Sequence, residues 1–258
     1  MERFKNFFTK DKNNGIVPNY VHGKHASLKD FINESDEHIG IENYEHKNKE
    51  FVSAEHMDNT LGAHYDKHVA EHPDVKHVKA YTDESEINNR LLAQHNYGGK
   101  LRPEHEEMAA GLDRILASKP SAQEHHTYSG LGYDPRRHVD ESGHMYSPGY
   151  TSSSPDVNVA KRFAKDINNK TGDRAFSNNK DTSTKHILKI KIPKGSTHGL
   201  YINGSSKFGR GVAKAGLDDE KEMLLKRNIK YKVNPTPTII KNGEGKVTHM
   251  IHHADIVE

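Results

Sequence analysis

Clusters of apolar residues at helix or strand spacing begin only near residue 79, and that asymmetry decides where this chain can build a core. The hydrophobic share is 32% over 258 residues, and the mean hydropathy is −0.94. A chain this polar buries a sizeable core only if its apolar residues are concentrated in one part. The length fits one domain plus an extension better than two full domains. We therefore expect a polar, His-rich N-terminal extension over residues 1–78, partly helical, and a folded domain over residues 79–258. The first part holds nine of the twenty histidines and a net charge of −4, against +6 for the rest.

Composition removes several function classes. A formal net charge of +2 is too balanced to imply nucleic acid or an anionic membrane by itself. Zero Cys excludes a disulfide framework, a thiolate zinc site, an iron–sulfur cluster and a cysteine nucleophile. No apolar run is long enough to cross a bilayer. Charges interrupt Met1–Lys10, so no signal-peptide core is present there, and a cytoplasmic location is expected.

From residue 79 onward the pattern reads helices first and strands after, which argues α+β. Thr82 opens a helix with Ile87, Leu91 and Leu92 on one face. Pro103 opens another, with Met108, Leu112, Ile115 and Leu116 aligned, and Pro120 ends it. His126–Leu131 reads as a strand entering a turn, and Asp156–Lys165 as a helix with Val159, Ala160, Phe163 and Ala164 inward. Strands follow at His186–Ile192, Leu200–Ile202, Glu222–Leu225 and Ile229–Val233. A hairpin turns at Asn242-Gly243. Residues 51–72 have helix-like content but a poor apolar stripe.

Several groups could carry chemistry. Residues two apart on a strand share a face, so Glu220 and Glu222 can address one substrate together. Paired carboxylates suit a sugar carbon that becomes oxocarbenium-like. Taken alone, two solvated glutamates at a strand start are the commoner arrangement. Ser152, Ser153 and Ser154 before Pro155-Asp156 are either the lead-in to a helix cap or hydroxyls set against a ribose. Tyr128-Ser129-Gly130 alone says only strand, then turn. His64, His68 and His72 recur every fourth residue, a zinc-compatible spacing. The metalloprotease Glu is missing between them, and a solvated His-rich helix is the better reading. His252-His253 reads as one ring inward and one outward.

In this order the three segments resemble the R-S-E class of mono-ADP-ribosyltransferases, the family of bacterial exoenzyme toxins and T-even-like phage enzymes. Tyr150-x-Ser152-Ser153-Ser154 and Glu220-x-Glu222 match the second and third elements of that pattern. The first departs from it, because Ser129 stands where the family carries an Arg that holds NAD near its phosphates. Substitute cations could come from Arg102, His125, His126, Arg136 or Arg137.

The resemblance, over roughly residues 79–258, implies an ADP-ribosyltransferase fold. Two small packed sheets of antiparallel type would form an NAD cleft with flanking helices. It implies NAD as substrate and no metal. Glu222 would bind the nicotinamide ribose and stabilise the oxocarbenium ion, Glu220 would position or activate the acceptor, and Ser152 would orient Glu222. Tyr128, Ser129, Gly130, Ser153 and Ser154 would surround the NAD, with the Gly130 backbone on the nicotinamide amide. Ser205–Asp219 would recognise the acceptor, with Phe208 as an aromatic contact. The loop at residues 166–185 would lie near the phosphates or be simply solvated. Lys207, Arg210 and Lys214 could attract an acidic protein face or RNA. The implied activity is transfer of ADP-ribose from NAD to a protein side chain, arginine above all, with release of nicotinamide. A bacterial host cell and phage delivery fit that implication. The alternatives are an NAD glycohydrolase, a non-catalytic NAD-binding protein and a packaged phage structural protein.

Overall fold

The computed structural model describes residues 54–83, 86–164, 184–209 and 219–257. The expectations for residues 1–53, for most of the 166–185 loop and for residues 210–218 lie outside them. Helix α1 (Ala54–Glu71) leads into α2 (Val75–Asp83). Met57, Leu61, Tyr65 and Val69 recur every fourth residue along α1 and are all buried. They join one core with Leu112, Ile115 and Leu116 of α4 (Pro103–Ala117). The division expected at residue 78 therefore does not coincide with a break in packing, and α2 runs straight across it. The stripe on α1 is one residue wide, and its largest member is a tyrosine, which makes it faint to a reading that looks for branched apolar clusters.

The α1 histidines are not simply solvated either. His64 Nε2 donates to the Pro120 carbonyl at 3.1 Å, and His68 Nε2 lies 2.7 Å from Ser118 Oγ. They latch α1 to the C-terminal end of α4. Between these helices, α3 (Glu86–Tyr97) buries Ile87 and Leu91. Pro occupies the first turn of α4, where a missing N–H costs nothing.

The strands make two sheets. The larger holds β1 (His125–Leu131), β2 (His144–Ser147), β4 (Lys185–Ile192), β7 (Ile229–Val233), β8 (Thr238–Lys241) and β9 (Val247–Val257). Its order is β1-β4-β9-β7-β2, with β8 on the first half of β9. The smaller holds β3 (Thr151–Ser153), β5 (Gly199–Tyr201) and β6 (Met223–Leu225) in the order β3-β6-β5. The sheets are not purely antiparallel as expected, because β4 and β9 run parallel. The expected hairpin is β8–β9, but β9 continues to Val257 and becomes a central strand. Alternation in β7 is clean, with Ile229, Tyr231 and Val233 inward and Lys230 and Lys232 outward.

Helix α5 (Val157–Phe163) packs across β1. Asp156 caps it by accepting from Asn158 N at 3.0 Å. Val159, Ala160 and Ala164 are buried as expected, but Phe163 is 56% exposed. A buried polar group gathers around the end of β1 and the neighbouring β4 and β9. Arg136 clasps Asp134 with contacts of 3.0 and 2.7 Å, and His186 Nδ1 lies 2.9 Å from His252 Nε2. His252 is fully buried, so the expectation of one plain inward ring understates its role. Among the described residues no helix is long and apolar enough to cross a membrane.

Candidate active site

The two sheets meet where β1 bridges to the end of β3. Tyr128 N donates to Ser154 O at 2.7 Å, and Ser154 N returns a bond to Tyr128 O at 2.9 Å. Beside this bridge opens a cleft of about 380 Å³. That is within the range of small-molecule sites, roughly 300–1,000 Å³. Tyr128, Ser129, Gly130, Ser152, Ser153, Ser154, Glu220 and Glu222 line it, whereas Tyr150 turns its hydroxyl to Ala109 O in the core. Phe163 and Phe208 add aromatic surface to its walls. Gly130 is required at the wall formed by α5. A Cβ there would lie 2.3 Å from the Ala160 carbonyl oxygen and 2.5 Å from Ala164 N. The glycine lets β1 and the helix backbone touch.

Glu222 is 6% exposed and sits one residue before β6. Its backbone is tied down, with Ile202 N donating to Glu222 O at 2.9 Å and Glu222 N to Asn203 Oδ1 at 3.4 Å. Its carboxylate is held from both sides. Ser152 Oγ donates to Oε1 and Ser206 Oγ to Oε2, each at 3.0 Å. Among the described residues no salt bridge reaches it. Burial pushes its pKa up, and the two serine bonds pull it part of the way back.

Glu220 reaches the same cleft, but not by strand pleat. The strand begins at Met223, and Lys221 between the two glutamates has φ +45°, in the left-handed region. A turn thus aims both carboxylates into one space. Lys221 is held in it by its N–H on Asp219 Oδ1 at 3.0 Å and its ammonium on Asp156 Oδ2 at 2.7 Å. Glu220 N donates to Phe208 O at 3.2 Å. Half-burial and the neighbouring Glu222 charge push the Glu220 pKa up to about 7, with Arg162 countering in part. A carboxyl poised there can exchange a proton near neutral pH.

The serine triplet divides its work. Ser152 serves Glu222, Ser153 Oγ ties β3 to β6 through Met223 O at 2.8 Å, and Ser154 Oγ accepts from Asp156 N at 3.1 Å. Of the two readings, the helix lead-in describes Ser154, while Ser152 faces the cleft carboxylate. Ser129 Oγ donates to Ser152 O at 3.0 Å, so this strand position supplies no cation. None of the five expected substitutes lines the cleft. His125 is buried against Gln123 and Met223, Arg136 is held by Asp134, and Arg102 is exposed near Glu104.

Sequence reading missed the residues behind the serines. Tyr81 OH lies 3.0 Å from Ser152 Oγ, and Asn88 Nδ2 donates to Tyr81 OH at 3.0 Å. Phe208 N donates to Ser206 Oγ at 3.3 Å. Nothing local marks Tyr81, Asn88 or Ser206, which are brought together from α2, α3 and a loop.

A model of the ADP-ribosyltransferase exoenzyme family matches residues 56–255. The chain belongs to that family. The match begins in α1, in keeping with the packing of that helix into the core. No curated protein matches the chain by sequence. Among solved structures, the ADP-ribosyltransferase toxin Plx2a from Paenibacillus larvae is 18% identical, covering 80% of this chain and 96% of that one, with a TM-score of 0.50. C3stau2 from S. aureus with NAD is 16% identical, covering 80% and 94%, also at 0.50. The ADP-ribosyltransferase Vis of Vibrio splendidus in complex with agmatine is 16% identical, covering 89% and 90%, again at 0.50. At these identities the likeness is one of fold. This ADP-ribosyltransferase fold brings a buried, serine-held glutamate and a second glutamate into one cleft.

Proposed function

We propose that this chain transfers ADP-ribose from NAD to the guanidinium group of an acceptor arginine, releasing nicotinamide. The observation that carries the reading is Glu222, a buried carboxylate held by two hydroxyls and neutralised by no cation among the described residues. NAD enters as substrate, its nicotinamide ribose against Glu222 and Ser152, with Tyr128, Gly130 and Phe163 along the wall. The bond between ribose C1′ and the nicotinamide nitrogen breaks, and nicotinamide leaves as a neutral molecule. The positive charge left on the sugar faces Glu222, whose fixed anion stabilises it without forming a covalent bond. An acceptor nitrogen then attacks C1′ and loses its proton to Glu220, whose pKa near 7 suits a general base. The reaction as proposed uses no metal. Two relatives support the choice of ligands: C3stau2 has been solved with NAD, and Vis with agmatine, itself a guanidinium compound.

Nicotinamide release, measured with and without agmatine and beside Glu222→Gln and Glu220→Gln, tests the reading. Transfer predicts an ADP-ribosyl-agmatine product, lost in Glu220→Gln, and nearly no nicotinamide release in Glu222→Gln. Release unaffected by agmatine, with no adduct, identifies water as acceptor and replaces transfer by NAD glycohydrolysis. Turnover undiminished in Glu222→Gln defeats both readings.

A further inference from the structure

The serine that holds Glu222 is itself driven from behind, and the direction of every proton in that row follows from the backbone. Asn88 Oδ1 accepts from Tyr150 N at 2.9 Å, and Asn88 Nδ2 donates to Tyr150 O at 3.0 Å. A backbone N–H can only donate and a carbonyl can only accept, so the amide of Asn88 has one possible orientation. Its NH₂ therefore also faces Tyr81 OH and donates to it. The Tyr81 oxygen is thus an acceptor on that side, and its own hydrogen must go to Ser152 Oγ. Ser152, already accepting from Tyr81, turns its hydrogen to Glu222 Oε1. Ser206 repeats the logic on the other oxygen, accepting from Phe208 N and donating to Glu222 Oε2.

We propose that Asn88 and Tyr81 are positioning residues that fix the donor direction of Ser152, and so hold Glu222 as an oriented acceptor-only anion. The proposal rests on the role given to Glu222 above. Its physical need is plain. A buried carboxylate without a counter-ion tends to take up a proton, and donors aimed at it oppose that. A lone serine hydroxyl can rotate away, whereas one that already accepts from a phenol has a single favourable place for its hydrogen. Tyr81 is suited to the task because it is 3% exposed, and burial pushes its pKa up to about 12, so it keeps its hydrogen. Helix α2 also steadies the second serine. Lys207 N donates to Thr82 Oγ1 at 3.1 Å, and Lys207 Nζ bonds Asp83, which pins the turn that bears Ser206. Both halves of the clamp therefore lean on the last turn of one helix.

The test is a carboxyl carbon-13 titration of Glu222 in the full chain without NAD, with the signal assigned through Glu222→Gln. Asn88→Asp replaces the donor facing Tyr81 by an acceptor. The row then reverses, and the Ser152 hydrogen turns away from Glu222. Tyr81→Phe removes the middle of the row while its ring still fills the space, and it stands in should Asn88→Asp fail to fold. Losing a donor makes ionisation harder, so the Glu222 midpoint moves up in both variants, more in Asn88→Asp. In nicotinamide release, kcat falls roughly tenfold or more in Asn88→Asp, the scale of a hydrogen bond to a charged group. KM for NAD stays near that of the parent, and the acid limb of the pH profile moves to higher pH. An unchanged Glu222 midpoint in both variants overturns the proposal. So does a rise in KM at constant kcat, which marks Tyr81 as a substrate contact instead. A raised midpoint in a protein that never consumes NAD upholds the row and defeats the proposed reaction. An unchanged midpoint beside Glu222-dependent turnover does the reverse.

Discussion

Glu222 and Asp134 are both carboxylates almost out of contact with water, at 6% and 5% exposed, yet the protein treats them in opposite ways. Asp134 receives a guanidinium. Burial by itself raises its pKa, but the hydrogen bonds and charge of Arg136 outweigh that and hold it well below the usual carboxylate range. Among the described residues Glu222 receives only neutral hydroxyls, which orient it and leave its charge uncancelled. Burial then dominates, and its pKa moves up. A paired anion holds structure in place, whereas an unpaired one is free to meet a positive charge that appears during a reaction. The difference marks the cleft as the place for chemistry and the Asp134–Arg136 pair as scaffold.

Substitution at both carboxylates is the sharpest way to break that contrast. Asp134→Asn leaves Arg136 buried without its counter-ion and is expected to lower unfolding free energy by about 3–5 kcal/mol. Denaturant unfolding checks it, and the folded fraction keeps its nicotinamide release per molecule. Glu222→Gln is expected to remove about 2.7–4 kcal/mol of transition-state stabilisation, a loss of roughly a hundredfold or more in kcat. The same protein should melt no lower than the parent, because an unpaired buried charge has gone. A Glu222→Gln chain as unstable as Asp134→Asn, or an Asp134→Asn chain as stable as the parent, erases the distinction.

A smaller effect tests the cleft wall. Gly130→Ala sets a methyl 2.3 Å from the Ala160 carbonyl oxygen, so α5 must shift. Overpacking of this kind costs about 1–3 kcal/mol, and KM for NAD should rise because the wall moves. A melt and a KM equal to the parent's contradict the close approach.

The last effect is a slope, and it vanishes at neutral pH. Burial pushes the His252 pKa down to about 3 from its ordinary 6.5. In the unfolded chain His252 takes its proton first as pH falls. Its contribution to stability is complete above about pH 6.5 and is lost progressively toward pH 3, by at most about 1.4 kcal/mol per pH unit. His252→Gln should flatten the stability profile over that window. Asp134 belongs to the same end of the molecule, and its share is lost only below its unfolded value near 3.8. An unchanged slope in His252→Gln places the acid sensitivity elsewhere.

Much of this was legible in the chain itself, for identifiable reasons. The frame of α4 follows from Pro103 and a four-residue apolar stripe, and that of β7 from strict alternation. The three motif segments converge on the cleft as their order implies. The packing of α1 across residue 78 was not legible, because its buried residues join a core whose other members lie far away in sequence. The extent of β9 failed because its second half finds β7 where its first half found β8. Glu220 and Glu222 line one cleft through a left-handed Lys221 and not through the strand pleat that local pattern suggested.

Local pattern determined which residues could be helix, strand, turn and acid in this protein, because periodicity and turn chemistry act over a few residues. It also supplied the carboxylate pair and the serines. Which hydroxyl faces Glu222, where the Asn88 and Tyr81 protons point, and that no guanidinium of the described residues arrives were decided only in three dimensions. Those outcomes depend on hydrogen bonds closed across 70 residues from Ser152 to Glu222 and 62 from Asn88 to Tyr150. A hydroxyl has no preferred direction until a folded neighbour gives it one.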